Sequence, residues 1–465
     1  MLVINLFLTL LIPFLLGTAI LSLFIYKGNN QLAYFEKKSL CFAIGLGFLV
    51  IIIYLLGVFK IPITFSTTTS AASAIIILCG VFLLLKKRLC FSPDDFKFKI
   101  PKMGFIEYFL LMLIALKTAY VFFEALIKPV IDVDAFQFYS IVAKGIFYTK
   151  TFTSPYLMHF MGDKPPFAFF TQGWILLGLN SPDEFLIKII SPVLFLCMLI
   201  IFYSILRRYF SIKTSLLFTF FLSYMPFIAF HAKTAYADLP MTFYYSLGTI
   251  YLFLFMKDFN NGKKPSSYVN LLLAAIFIGL TIWIKRAGIV LAGCDIIVLL
   301  AFLLLNRKWI QKIDLKYLTI AFITIAAIIL PWLIFGSNAT LGRIITTQAG
   351  AEEIAFGAKI GFIISIFFKK IFLYADWNLL WLMFAASVII PYKNSFKNPQ
   401  VFLLAIILID LIVILGQFSS GEMFRWLLDG TLLDRLIMNQ APVVLYFCAE
   451  IIGPILEEKG NSSAA

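Results

Sequence analysis

Apolar runs of about 17 to 25 residues recur along almost the whole chain, parted by short polar links. They fall at 2–26, 39–59, 68–85, 104–126, 185–206, 213–230, 239–256, 268–284, 288–305, 317–335, 376–392, 400–417 and 437–456. Runs of this length without strand alternation predict an all-α, polytopic transmembrane helical bundle of about 13 spans. One long break interrupts the pattern, the loop 127–184. Its polar part, Lys128 to Phe167, holds Asp132, Asp134, Asp163, Lys144, Lys150, Lys164 and His159. Within this loop Pro165–Asn180 is apolar but only about 16 residues long, which predicts an interfacial or re-entrant helix. Residues 357–374 carry Lys369 and Lys370 within an apolar run and are expected to lie in the interface too.

Charge sets the expected orientation. Lysine and arginine collect in links that face the cytoplasm. The links at Lys27/Lys37/Lys38, 86–88, Arg207/Arg208/Lys213, Lys257/Lys263/Lys264 and Arg307/Lys308/Lys312/Lys316 all fall on one side only if 165–180 does not cross. The loop 127–184 is then external, together with 231–238, 285–287, 336–375 and 418–436. Both histidines, His159 and His231, lie on that outer side, where the chemically varied residues gather.

With 62% hydrophobic and 13% charged residues, the chain has no room for an ordinary soluble domain, which carries roughly 25% charge. The net charge of +14 is explained by anchoring lysines and does not point to nucleic acid as a partner. The six cysteines are dispersed, with no CxxC pair, so neither a zinc site nor a disulfide frame is indicated. The N-terminal run has no Ala-x-Ala site and reads as a retained span.

Chemistry points to a few places. Asp132-Val-Asp134 follows span four; two carboxylates at this spacing can hold a divalent cation, or one can act as a base beside the other, or Asp134 can cap a helix. Lys285-Arg286 stands at a span end on the outer side, against the orientation rule, which suits a phosphate ligand or a snorkelling pair. Asp238-Leu-Pro240 opens a span, as a functional acid or as a plain helix start with proline in the first turn. Asp295 and Asp410 are intramembrane carboxylates and should face the bundle interior, with Lys117 and Lys188 as candidate partners.

This ordered set resembles the GT-C superfamily of membrane glycosyltransferases, in its protein O-mannosyltransferase, aminoarabinose-transferase and Rgt-like branches. DAFQFYSIVAKGIF (134–147), GDKPPFAFFTQGWI (162–175), AYADLPMTFYY (235–245), WIKRAGIVL (283–291) and LLDRLIMNQAP (432–442) match its motifs in order, over residues 104 to about 445. Ala287 stands where the family carries an acid. The resemblance implies a GT-C-like catalytic module at 104–456, three N-terminal helices outside it at 1–103, and a cytoplasmic tail at 457–465. It implies a reaction that takes a sugar from a polyprenyl-phosphate carrier, with inversion, at the outer face of the membrane. Asp134 would be the base and Asp132 second to it. Lys285, Arg286 and Arg435 would hold the phosphate, with Asp238, Lys164, His159 and Asp434 also in the substrate site. Asp132, Asp134 and Asp238 would hold a divalent cation, Mg or Mn, if the reaction uses one. Partners are membrane lipid, the lipid-linked donor and a glycan, lipid or protein acceptor. The expected location is a bacterial plasma membrane. The rival readings are a transporter or flippase of a lipid-linked sugar, which would put its working charges at mid-membrane, and an O-antigen ligase or polymerase.

Overall fold

The computed structural model describes residues 1–25, 32–86, 102–162, 164–305, 313–344, 356–389, 398–419 and 421–462. Asp163 and much of the basic links near Lys27, 86–88 and Arg307/Lys308/Lys312 lie outside the described residues. Every described element is helical, and two compact units are formed.

The first unit comprises residues 1–223, 230–240 and 263–269. It contains α1 (Leu2–Ser22), α2 (Tyr34–Val58), α3 (Phe65–Leu85), α4 (Phe105–Ile127), α5 (Ser140–Thr149), α6 (Pro155–Met161), α7 (Phe167–Leu179), α8 (Ile190–Leu206) and α9 (Ile212–Ser223). Helices pack in lipid by close approach of small residues, because lipid tails give no hydrophobic drive between them. Gly17 and Gly45 do this for α1 and α2: a Cβ on Gly45 would lie 1.7 Å from the Pro13 carbonyl oxygen, and one on Gly17 equally near that of Cys41. Gly178 lets α7 approach α1 in the same way, its site lying 1.9 Å from Thr9 Oγ1. The Trp174 indole N–H then donates to the Thr9 carbonyl at 2.9 Å, and its ring stacks on Phe65.

Helix α7 is the expected short segment of the outer loop. Its 13 residues reach only about 20 Å, short of the roughly 30 Å hydrocarbon core. It does not lie open in an interface, however. Nearly all of it is buried against α1, α2 and α5, because an aromatic helix too short to span finds its apolar surroundings in protein.

The second unit comprises residues 224–229, 241–262 and 270–465. A short helix, α10 (Pro226–His231), follows α9. After it come α11 (Asp238–Asn260), α12 (Lys264–Thr281), α13 (Ala287–Leu305), α14 (Leu315–Ile344), α15 (Phe356–Phe372), α16 (Leu380–Ile389), α17 (Asn398–Gln417), α18 (Gly421–Leu428), α19 (Leu433–Met438) and α20 (Ala441–Ser462). Within this unit α13 packs on α17, and both α16 and α17 pack on α20.

Nine helices among the described residues are long and apolar enough to cross a membrane. The expected span at 213–230 is broken instead: α9 stops at Ser223, and α10 restarts at Pro226, whose ring cannot continue an α-helix. The apolar parts of α12 and α16 are shorter helices, Ser267–Thr281 and Leu380–Ile389. Helix α14 runs on to Ile344 where a loop from 336 was expected; residues 345–355 lie outside the described set.

Candidate functional site

In the first unit the loop folds back so that three separate motifs meet. After α4 the chain runs extended to Asp132, then enters a π-helical turn at Ala135–Tyr139 that continues into α5. Asp134 sits at the head of that turn and its side chain makes no capping hydrogen bond. Both Asp132 and Asp134 are half-buried. Lys164, from the Lys-Pro-Pro turn, places its ammonium 3.4 Å from the Phe138 ring centroid, a cation–π contact between the second motif and the first. Tyr139 packs on Phe169 with ring centroids 5.1 Å apart. On α7, Gln172 donates to the Ala235 carbonyl at 2.8 Å, and Ser191 on α8 donates to Thr234 at the same distance. The first bond ties the third motif, 234–238, to the second, and the other ties it to α8. Val130, Ala135, Ala143, Leu176, Ile187 and Ala235 form one buried cluster beneath all three.

Charge is concentrated on one side of this cluster. Glu124, at the end of α4, accepts from Lys128 at 2.7 Å and also pairs with Lys233. Lys188, only 4% exposed, donates to the Pro129 carbonyl at 3.2 Å and faces Asp132. Burial pushes the Asp132 carboxyl above its ordinary range, and Lys188 and then Lys233 oppose that rise. A recess of about 240 Å³, counting space open to solvent, lies beside Lys188 and is lined also by Thr171, Gln172, Ser191, Tyr236 and Pro240.

Lys188 therefore does not serve the intramembrane carboxylates offered to it by the sequence; it stands by Asp132. Sequence reasoning also missed Glu124, Gln172 and Ser191. The only signal for Lys188 was a lysine at the mouth of an apolar run, and the path of the loop was needed to say what it meets. His159 lies exposed on α6, away from those bonds. His231 is buried with its ring 5.5 Å from that of Tyr236. Asp238 is buried as the first residue of α11, with Pro240 in the first turn.

The other expected residues belong to the second unit. Lys285 and Arg286 form the tight turn between α12 and α13, both half-buried. Gly288 makes the turn possible, since a Cβ there would fall 2.4 Å from the Thr281 carbonyl oxygen. Trp283 anchors the turn, fully buried and donating to the Ile328 carbonyl at 2.9 Å. Asp434 is buried on α19 and accepts from Lys370 at 2.5 Å. Burial raises its carboxyl, the Lys370 ammonium holds it down, and Asp376 adds to the rise. Lys370, read from sequence as an interfacial charge, is thus the partner of a motif residue. Arg435 is half-buried beside Asp434 in sequence.

Asp295 accepts from Thr249 at 2.8 Å and Asp410 from the Tyr245 hydroxyl, so hydroxyls rather than lysines meet these two acids. Among the described residues no three His, Cys, Asp or Glu side chains gather as a metal-binding set. Asp132, Asp134 and Asp238 do not form such a set.

Residues 163–335 match the family model described as dolichyl-phosphate-mannose-protein mannosyltransferase. Among solved structures it is similar to ArnT from Cupriavidus metallidurans bound to undecaprenyl phosphate, with a TM-score of 0.52 and 14% identity over 74% of this chain and 60% of that one. The chain thus spans less than two thirds of the length of that relative. ArnT from the same organism in the apo state matches with a TM-score of 0.42 at 13% identity, over 75% of this chain and 78% of that one. No curated protein matches the sequence.

Proposed function

We propose that the protein is an inverting glycosyltransferase that moves a sugar from a polyprenyl-phosphate carrier to an acceptor hydroxyl at the outer face of the membrane. The observation that carries this reading is the meeting of three motifs, 132–139, 164–174 and 234–238, on one buried cluster of the first unit. The family match over residues 163–335 and the fold shared with an undecaprenyl-phosphate-bound ArnT support it.

Asp134 is assigned as the base. It is half-buried, so a hydroxyl can reach it. The acceptor oxygen attacks the anomeric carbon, and the bond from that carbon to the phosphate oxygen breaks. The electron pair leaves with the polyprenyl phosphate, and the acceptor proton passes to Asp134. One displacement inverts the centre and needs no covalent enzyme intermediate. Lys188, which faces Asp132 and donates to the Pro129 carbonyl, steadies the segment that presents Asp134. Lys285, Arg286 and Arg435 are assigned to the donor phosphate, where arginine can bond bidentately.

The test is transfer of radiolabelled sugar from a panel of polyprenyl-phosphate sugars in membranes carrying wild type or Asp134→Asn. Transfer that is lost in the variant at equal expression supports the assignment and names the donor. Full activity in the variant would move the base to Asp132 or Asp238. A wild type that consumes no donor while labelled lipid crosses the bilayer would replace the reading with a transporter.

A further inference from the structure

We infer that Asp295 and Asp410, together with Gln440, form an intramembrane site for one monovalent cation, Na+ or a proton. The inference is independent of the transferase reading and concerns the second unit alone. Three spanning helices and one turn build the site. Tyr245 and Thr249 come from α11, Cys294 and Asp295 from α13, Asp410 from α17, and Gln440 from the turn before α20. Asp295 is near the middle of the 19-residue α13 and Asp410 well inside α17, two helices long and apolar enough to cross a membrane. Each is 0% exposed.

The hydrogen-bond arithmetic is incomplete. The Tyr245 hydroxyl donates to Asp410 Oδ2, and Thr249 Oγ1 donates to Asp295 Oδ2. The second oxygen of each carboxyl, Asp295 Oδ1 and Asp410 Oδ1, is buried with no donor. The Gln440 side chain is 1% exposed and turned toward Asp410, and neither its Oε1 nor its Nε2 has a partner in hydrogen-bonding geometry. Buried amides are rarely left so. Two buried carboxyl oxygens, Asp295 Oδ1 and Asp410 Oδ1, therefore lack a donor, and the buried Gln440 amide beside Asp410 is unsatisfied as well.

Charge makes the same demand. Apart from each other, the titratable groups facing the two acids are Tyr245 and Cys294; no lysine or arginine faces them among the described residues. Two carboxylates without a counter-cation are not tolerated in a medium of low dielectric. A single bound positive charge answers both deficits. Na+ takes hard oxygen ligands of the carboxylate and amide kind; a proton turns one orphan acceptor into a donor. Occupancy would tie α11, α13, α17 and the start of α20 together.

The test uses the purified full chain in lipid nanodiscs. Sodium replaces choline at constant ionic strength, at a pH well above the ordinary carboxylate range, and the unfolding temperature is followed by tryptophan fluorescence. A sodium site predicts a saturable rise of about 5 °C in wild type that is absent in Asp295→Asn and Asp410→Asn. Gln440→Leu keeps both acids and should weaken the sodium response about tenfold; an unchanged response would remove Gln440 from the site. If the occupant is a proton, sodium has no effect. The carboxyl is then protonated when folded and ionised when unfolded, so the unfolding temperature falls as pH rises, and an infrared carbonyl band of a protonated carboxyl disappears over the same range. Both proton signatures should be missing in Asp410→Asn. Wild type and the Asp295→Asn/Asp410→Asn double variant responding identically to sodium and to pH would overturn the inference.

Discussion

Lys188 faces Asp132, and its ammonium donates to the carbonyl of Pro129, three residues ahead of that carboxylate in the chain. The lysine thus acts on the acid twice, through its charge and through the backbone that carries it. Lys188→Met removes the cation that opposes burial, so the Asp132 carboxyl climbs further above its ordinary range. If the carboxylate form is needed, the acid limb of the kcat/KM profile moves to higher pH, and the misplaced loop costs about 100-fold at neutral pH. A pH–rate series on wild type and variant checks this. A uniform loss with an unmoved limb would leave Lys188 with a merely structural role.

Lys370 and Asp434 form a mostly buried pair at 2.5 Å, with side-chain exposures of 17% and 6%. Lys370→Met strands the carboxylate, at a cost of about 3–5 kcal/mol at neutral pH. The sign of its pH dependence follows from the Asp434 carboxyl. It is already raised by burial, and without Lys370 it rises further, so the folded variant prefers the protonated acid and regains stability as pH falls. Adding Asp434→Asn to Lys370→Met should recover most of the loss. Thermal unfolding of the four proteins across pH measures both effects.

The α1–α2 crossing has no room for a methyl group at Gly45, where a Cβ would meet backbone rather than a movable side chain. Gly45→Ala should therefore force the two helices apart and destabilise the first unit by about 3 kcal/mol or more. The measurement is the yield of monodisperse protein in mild detergent. Gly80, which has open space at its Cβ position, is the control and should tolerate alanine.

Lys285 and Arg286 are presented by a turn that depends on Gly288. If they hold the donor phosphate, Arg286→Met should lower kcat/KM for the lipid-linked sugar by about 100-fold with little change in unfolding temperature. Lysine at 286 should rescue poorly, since it cannot bond the phosphate bidentately. Steady-state kinetics with the labelled donor decide the point; an unaffected KM and kcat would return the pair to snorkelling.

How much of this was legible can be judged residue by residue. The helical class, the membrane setting and the polar loop follow from apolar runs alone, because the bilayer requires about 20 apolar residues for each span and satisfied backbone throughout. The order of Asp132, Asp134, Lys164, Asp238, Lys285 and Arg435 is likewise a property of the linear chain, and it carried the resemblance to the superfamily. Chain breaks were less legible: Pro226 ends a run whose hydropathy continues through it. Pairings were not legible at all. Lys188 was offered to Asp295 or Asp410 and stands by Asp132; Lys370 was read as an interfacial charge and holds Asp434; Asp295 and Asp410 meet hydroxyls instead of lysines. The physical reason is that hydropathy is a property of each residue and survives in the linear sequence. Which charges share a desolvated space depends on how glycine contacts, a short buried helix and a folded-back loop bring distant segments together, and that is decided only in three dimensions.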